Sequence, residues 1–278
     1  MNDTTDTVSF GRTMCEARGI CPNDLRRRNL IVVHTYSINR IVQNRRNRVA
    51  PSSTDWYTKH MYFESRSQAG QLLANQLFET YRYENCAVVA MSDGAVLVGE
   101  QLAAALHAPL MLLLVEDIEV PGESLSFGGV SQRGNFTINS TFSTGEVQEY
   151  TSEFHGYLNE QKREKFQKIN RLLGDGGVIS EDMLRDRVVI LVADGIDNGA
   201  AFDVAMDFLK PIRTVKIIAV TPVASIPAVD KLHMQADELH ILDVKENYMG
   251  TNHYYEDNTI PGHEETIAKI NQMILNWK

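Results

Sequence analysis

Two short loops combine acidic and small residues directly after hydrophobic runs. The longer loop follows the run Val188–Val192 and contains Asp194, Gly195, Ile196, Asp197, Asn198, Gly199 and Ala200. Glycine lets the backbone approach a phosphate closely, and the N-terminus of a following helix favours an anion. The shorter loop, Ser92, Asp93 and Gly94, follows the run Cys86–Met91. Both are candidate phosphate-binding loops; the alternative is that each is only a tight strand-to-helix connection.

Hydrophobic patterning predicts the elements that position these loops. From about Phe63, short aliphatic runs alternate with helical stretches, which is typical of a parallel sheet covered by helices on both faces. Strands are expected at Cys86–Met91, Leu110–Val115, Val188–Val192, Val215–Val220 and Glu238–Leu242, and helices after Ser65 or Ser67, at Ala95–His107, up to about Leu209, near Ala228–Ala236 and at Glu264–Trp277. Ligands bind beyond the carboxyl ends of the strands of such sheets, which is where both loops fall.

The middle of the chain departs from this alternation. Phe127–Val130 and Asn135–Ile138 are short β-rich pieces with glycines nearby, which predict a small hairpin or hood. Gln148–Leu173 is predicted to form one long helix on the surface. Glu116 and Asp117 follow a predicted strand and are candidates to reach the site; the alternative is that they are solvated acids.

Bulk composition limits the class of protein. The chain has 278 residues, 43% of them hydrophobic, which is enough for a sizeable core. No apolar run approaches the roughly 20 residues needed to cross a bilayer, and the first residues include acids without an apolar stretch behind them. We therefore expect a cytoplasmic protein with no membrane association. The three cysteines match no zinc or redox spacing and are expected to be free thiols.

Charge is distributed unevenly along the chain. The net charge is −9, but residues 1–60 contain ten Lys/Arg and five Asp/Glu, against 17 and 31 in the remainder. The chain is therefore divided into a basic N-terminal extension, 1–60, and a domain, 61–278. The acidic domain repels nucleic-acid backbones, so nucleic acid is expected to bind only through the extension. A basic amphipathic helix at Ser37–Arg48 would serve that purpose; alternatively it docks on the acidic domain or on the second subunit of a homodimer.

Five segments carry a resemblance to a known family. Val189–Ala201 resembles the phosphoribosyl pyrophosphate motif of type I phosphoribosyltransferases, in which a strand ends in two acids and continues into a Thr-Gly loop. In the same order along the chain, Phe63–Ala74, Ser92–Val96, Phe127–Val130 and Tyr255–Asp257 resemble segments of bacterial phosphoribosyltransferase-like proteins. The similarity covers roughly residues 62–270 and implies an α/β fold: a mainly parallel sheet with helices on both faces and a small β hood.

The resemblance also implies a reaction. In the family, acids at the strand end hold the ribose hydroxyls, the loop holds the 5′-phosphate, and the earlier turn holds pyrophosphate with Mg²⁺. Carried over, Asp194 is the catalytic acid, the loop from Gly195 to Ala200 binds phosphate, and Ser92, Asp93 and Gly94 face pyrophosphate. The implied activity is Mg²⁺-dependent transfer of ribose 5-phosphate from phosphoribosyl pyrophosphate to a nitrogenous acceptor, driven mainly by electrostatic stabilisation.

Five residues depart from the family pattern. Ala193 stands where the first acid belongs, Asn198 replaces the usual Thr, and Ala201 lacks a hydroxyl. Asp197 and Asp93 place carboxylates at the two phosphate subsites, each unfavourable by about 1 kcal/mol or more. An alternative function therefore stays open: a catalytically inactive relative that senses a nucleotide-like ligand or acts as an assembly module or regulator.

Overall fold

The computed structural model describes residues 30–33, 63–123, 125–173 and 179–275. The described strands are β1 (Leu30–Val33), β2 (Cys86–Ala90), β3 (Leu110–Leu112), β4 (Val115–Glu119), β5 (Ser126–Ser131), β6 (Phe136–Ile138), β7 (Val188–Val192), β8 (Lys216–Ser225) and β9 (Glu238–Lys245). The described α-helices are α1 (Arg66–Tyr81), α2 (Asp93–Leu106), α3 (Thr144–Glu153), α4 (His155–Leu173), α5 (Ala200–Leu209), α6 (Ile226–Gln235) and α7 (His263–Leu275).

The main sheet contains six strands in the order β1-β9-β8-β7-β2-β3, and every neighbouring pair is parallel. Its central strands are buried on both faces. Val188, Ile190 and Val192 of β7 pack on the side of α1 and α2, whereas Val189 and Leu191 pack on the side of α5 and α6. This arrangement confirms the predicted α/β architecture, in which continuous aliphatic runs form two-sided strands.

A second, antiparallel sheet of β4, β5 and β6 forms the predicted hood. Phe127 of β5 is buried and lies 5.4 Å from the Phe142 ring and 5.9 Å from the Tyr150 ring, measured between centroids. The hood therefore has its own aromatic contacts and also packs against α5.

Local signals place most helix starts. Ser65 caps α1 by accepting a hydrogen bond from Gln68 N, and Ser92 caps α2 by accepting one from Ala95 N. The second helix consequently begins at Asp93, two residues before the predicted Ala95, so Asp93 and Gly94 belong to its first turn. Serine at the cap satisfies a backbone N–H that has no partner within the helix.

Two predicted elements are divided in the structure. The helix predicted at Gln148–Leu173 is two helices, because Phe154 has φ −106° and ψ 22°, outside the helical region, and separates α3 from α4. The strand predicted at Leu110–Val115 ends at Leu112, and Val115 begins β4 of the hood. Hydrophobicity continues across both breaks, so periodicity alone could not locate them.

The division of the chain at residue 60 stays a prediction, as does the basic helix at Ser37–Arg48, which lies outside the described residues. Leu30–Val33 does pair with Glu238–Ile241 of β9, so part of the basic segment extends the main sheet at its edge. Among the described residues, no helix combines the length and apolarity that a membrane span requires.

Candidate functional site

The two predicted loops meet at one edge of the main sheet. Strands β2 and β7 are parallel neighbours, and Met91 N donates to Val192 O at 3.0 Å where the strands end. Just beyond these strand ends, Ser92 Oγ donates to Asp194 Oδ1 at 3.0 Å. The structure therefore brings together the turn expected to face pyrophosphate and the acid expected to hold ribose.

Arg66 completes this contact from the first turn of α1. Its Nε donates to Asp194 Oδ2 at 2.8 Å, and the side chain is only 1% exposed, against 14% for Asp194. Its guanidinium also donates to Asn252 Oδ1 at 2.6 Å and lies 4.5 Å from the Tyr255 ring centroid. A charge this deeply buried requires an opposite charge and hydrogen-bond acceptors, and Arg66 has both.

Sequence reasoning missed Arg66, although one signal was available. An arginine at the first position of a helix lies near the positive end of the helix dipole, which disfavours a cation there. Such a placement indicates a specific acceptor elsewhere in the fold. The acceptor is Asp194, 128 positions away in sequence.

Two of the predicted loop glycines make room for other side chains of the chain. A Cβ atom on Gly94 would lie 2.3 Å from Asp194 Oδ2, and one on Gly195 would lie 2.3 Å from the Tyr248 hydroxyl oxygen. Both distances are far below van der Waals contact. In this conformation, the side chains of Asp194 and Tyr248 therefore occupy the space beside the two glycines, where the sequence predicted a phosphate.

The remainder of the longer loop is joined to β8. Ile196 N donates to Val223 O at 3.0 Å, and Ser225 N donates to Ile196 O at 2.9 Å. Asn198 Oδ1 accepts from Ala200 N at 2.8 Å, and Gly199 adopts a left-handed conformation with φ 69° just before α5. The loop is a defined strand-to-helix turn whose shape is set by backbone bonds.

Residues near the C-terminal end cover the same edge. Tyr255 donates its hydroxyl hydrogen to Asp194 O at 2.5 Å, and Tyr248 Oη lies 2.8 Å from Thr251 Oγ1. His263 Nδ1 lies 3.0 Å from Asp93 Oδ1, and its Nε2 lies 3.1 Å from the Leu172 carbonyl oxygen. The carboxylate of Asp93 therefore has an imidazole partner from α7, which no local pattern could have predicted.

The electrostatics of this edge favour neutral tyrosines beside a charged aspartate. Burial raises the pKa of both Tyr248 and Tyr255 above the usual tyrosine value, and the negative charge of Asp194 raises both further. The hydroxyl groups therefore remain protonated, which lets Tyr255 act as a hydrogen-bond donor to the loop.

Glu116, another candidate acid from the sequence, is engaged by α4. Glu116 in β4 forms ion pairs with Lys165 Nζ at 3.3 Å and Lys168 Nζ at 2.6 Å, both on α4. It therefore links the hood to α4. A cleft of about 400 Å³, whose lining includes Arg133, Glu181 and Phe208, contains neither of the two loops.

Comparisons with known proteins agree with this architecture. Two proteins described as "putative phosphoribosyl transferase", from two Mycobacterium tuberculosis strains, are 24% identical to the chain over 211 residues. The match covers 76% of this chain and 46% of each relative, so the chain spans less than half the length of these proteins. No protein-family model matches the chain.

A solved structure has a similar fold. The Thermus thermophilus protein TT1426 superposes with a TM-score of 0.60 and 24% sequence identity, covering 77% of this chain and 99% of that one. The described architecture, with its parallel sheet and separate hood, is thus shared with this solved structure. The chain therefore has a type I phosphoribosyltransferase-like fold and is similar in sequence to proteins described as putative phosphoribosyl transferases.

Proposed function

We propose that the chain binds phosphoribosyl pyrophosphate where β2 and β7 end and transfers its ribose 5-phosphate to a nitrogenous acceptor with Mg²⁺. The observation that carries the proposal is the hydrogen bond from Ser92 Oγ to Asp194 Oδ1, because it joins the two loops that the reaction would need. The similarity to putative phosphoribosyl transferases supports the same class of reaction.

In this proposal the protein contributes mainly fixed charges and dipoles. Asp194 places a carboxylate where positive charge develops on the ribose, and its orientation is held by Arg66 and Ser92. The N-terminus of α5, which follows the loop directly, provides a favourable dipole for the 5′-phosphate. Stabilising separated charge in this way needs no covalent bond to the protein.

The residues present fit a magnesium ion held largely by the substrate. Mg²⁺ usually binds one or two protein carboxylates, with water and substrate phosphates completing its shell. Asp93 is engaged by His263, and Asp194 by Arg66, whereas Asp197 is exposed beside the loop. Asp197 would therefore be the protein ligand. Bound there, Mg²⁺ would offset the carboxylate of Asp197 beside the 5′-phosphate of the substrate.

A second candidate function is ligand binding without transfer. It is favoured by the state of Asp194, since Arg66 and Ser92 occupy both of its carboxylate oxygens. Ala193 offers no second acid to take over the ribose hydroxyls. In this form the protein would sense a nucleotide-like molecule or act as an assembly module.

Calorimetric titration of phosphoribosyl pyrophosphate, with and without Mg²⁺, tests the proposal. We expect micromolar, Mg²⁺-dependent binding that Asp194→Asn weakens by about tenfold or more. Asp186→Asn is the matched control. Asp186 lies two residues before the start of β7, at the end of the strand opposite Asp194, and is ion-paired with Arg213 at 3.0 Å. Absence of binding at millimolar concentration would remove the proposal.

A second measurement separates the two candidates. Purified protein is incubated with phosphoribosyl pyrophosphate, Mg²⁺ and mixtures of purine and pyrimidine bases, and pyrophosphate release is followed. Release that depends on one base supports transfer. Binding without release under every condition supports the sensing function instead.

A further inference from the structure

Lys231, on α6, makes contacts beneath the predicted phosphate loop. Its Nζ lies 2.6 Å from Asp203 Oδ2, 2.7 Å from Asn139 Oδ1 and 3.4 Å from the Asn198 carbonyl oxygen. The side chain is only 8% exposed. We propose that Lys231 is a positioning residue that sets the orientation of the Asn198–Gly199 peptide and couples the loop to the hood.

Peptide geometry links the Lys231 contact to ligand binding. The C=O and N–H of a trans peptide point in opposite directions, and the described residues contain no cis peptide. Because the Asn198 carbonyl points to Lys231, the Gly199 N–H points away from it. A backbone N–H at the start of a helix can donate to an anion. Lys231 thus orients a donor that a ligand phosphate would use; this step rests on the proposed function.

The aliphatic stem of Lys231 also lies beside Gly199. A Cβ atom on Gly199 would lie 3.0 Å from Lys231 Cδ, so the lysine stem fills the space beside the glycine. The positive φ of 69° independently favours glycine here. The loop and the lysine therefore pack as one unit, and a change in the lysine shifts the loop.

The charge on Lys231 is balanced within the protein. Asp203 is 5% exposed and also accepts from Ser140 N at 2.9 Å, Ser140 Oγ at 3.1 Å and Gln235 Nε2 at 2.7 Å. A buried ion pair with this many hydrogen bonds is held in one geometry. Because Asp203 neutralises the ammonium group, Lys231 acts on the loop by orientation and supplies no free cation to a ligand.

The same ammonium group reaches the hood. Asn139 directly follows β6, and its Nδ2 donates to Ser126 O of β5 at 2.8 Å while its Oδ1 accepts from Lys231. One side chain therefore bonds both the phosphate loop and the end of the hood. Movement of the hood on binding an acceptor would be transmitted to the Asn198–Gly199 peptide.

Amide hydrogen exchange of the ligand-free chain, residues 1–278, tests the positioning role directly. In Lys231→Met we expect exchange at residues 196–201 to rise about tenfold, together with about tenfold weaker binding of phosphoribosyl pyrophosphate. Lys216→Met is the matched control, since Lys216 binds Glu238 and Tyr81 at the amino end of the sheet. It should leave both the loop exchange and the affinity unchanged.

The outcomes are separable. If Lys231→Met loses stability but keeps wild-type exchange at 196–201, Lys231 is only structural and the proposal is wrong. If Lys231→Met does not fold, the double variant with Asp203→Asn removes the uncompensated buried charge, and its loop exchange decides in the same way. If the wild type fails to bind phosphoribosyl pyrophosphate, the proposed function falls while the exchange measurement still tests the positioning role.

Discussion

The guanidinium of Arg66 binds the carboxylate of Asp194 at 2.8 Å, joining the first turn of α1 to the loop after β7. Both groups are largely removed from water, and the Tyr255 ring covers the guanidinium. The acid that family resemblance assigns to the ribose is therefore also a structural partner. Its charge has a structural role in addition to the one proposed for it, and substitutions can separate the two.

Removing Arg66 should destabilise the protein strongly. Arg66→Met leaves Asp194 with a buried charge and no cation, so we expect the free energy of unfolding to fall by about 3–5 kcal/mol. Urea denaturation monitored by circular dichroism measures this change.

The control for that variant is Arg213→Met. Arg213 pairs with Asp186 at 3.0 Å, but the two side chains are 85% and 58% exposed. Exposed ion pairs contribute about 0–1 kcal/mol, so this variant should remain close to wild type. Equal losses in the two variants would contradict a special role for the Arg66–Asp194 pair.

Gly94→Ala should disturb the same ion pair without changing any charge. The new Cβ would lie 2.3 Å from Asp194 Oδ2 and 3.0 Å from Arg66 Nε, so the carboxylate must move. We expect a loss of about 1–3 kcal/mol despite the better helix propensity of alanine. Gly156→Ala in α4 is the control, because nothing lies within 4 Å of its added Cβ. Thermal unfolding should show opposite shifts for the two variants.

The position of both loops beyond the carboxyl ends of parallel strands could be predicted from sequence, whereas the adjacency of β2 and β7, which brings Ser92 to Asp194, could not. Two hydrophobic runs were identified as parallel strands, and the carboxyl ends of neighbouring parallel strands meet at one edge. The start of α1 could be predicted to within two residues from its candidate caps, Ser65 and Ser67, whereas the start of α2 was predicted two residues late. The features that could be predicted depend on short-range patterns or on general rules of topology.

The partners of the loop residues could not be predicted in that way. Arg66, Tyr255 and His263 reach the site from α1, from the segment after β9 and from α7. Their proximity depends on how the helices pack on the sheet, which no periodicity records. Lys231 was missed for the same reason, because α6 reads as an ordinary amphipathic helix.

Tyr255→Phe should loosen the loop by removing one buried hydrogen bond. The hydroxyl of Tyr255 donates to Asp194 O, and its loss leaves that carbonyl without this donor. We expect a decrease of about 1 kcal/mol in the free energy of unfolding. Tyr157→Phe, which alters a ring that is 37% exposed, should have little effect. A wild-type denaturation midpoint for Tyr255→Phe would show that the hydroxyl contributes nothing.

Cys86 should resist thiol reagents in the folded protein. Burial, assisted by the negative charge of Glu84, raises the pKa of the Cys86 thiol from 9.0 to about 11. The thiolate is the reactive form, so alkylation at pH 8 should be much slower in the folded chain than in urea. Because the folded pKa lies above the unfolded one, the thiol's contribution to stability is complete below pH 9.0 and is lost as the pH rises through about 11. Mass spectrometry of the peptide containing Cys86 measures its alkylation separately from that of the other two cysteines. Equal alkylation rates in the folded and unfolded chains would contradict the burial of this thiol.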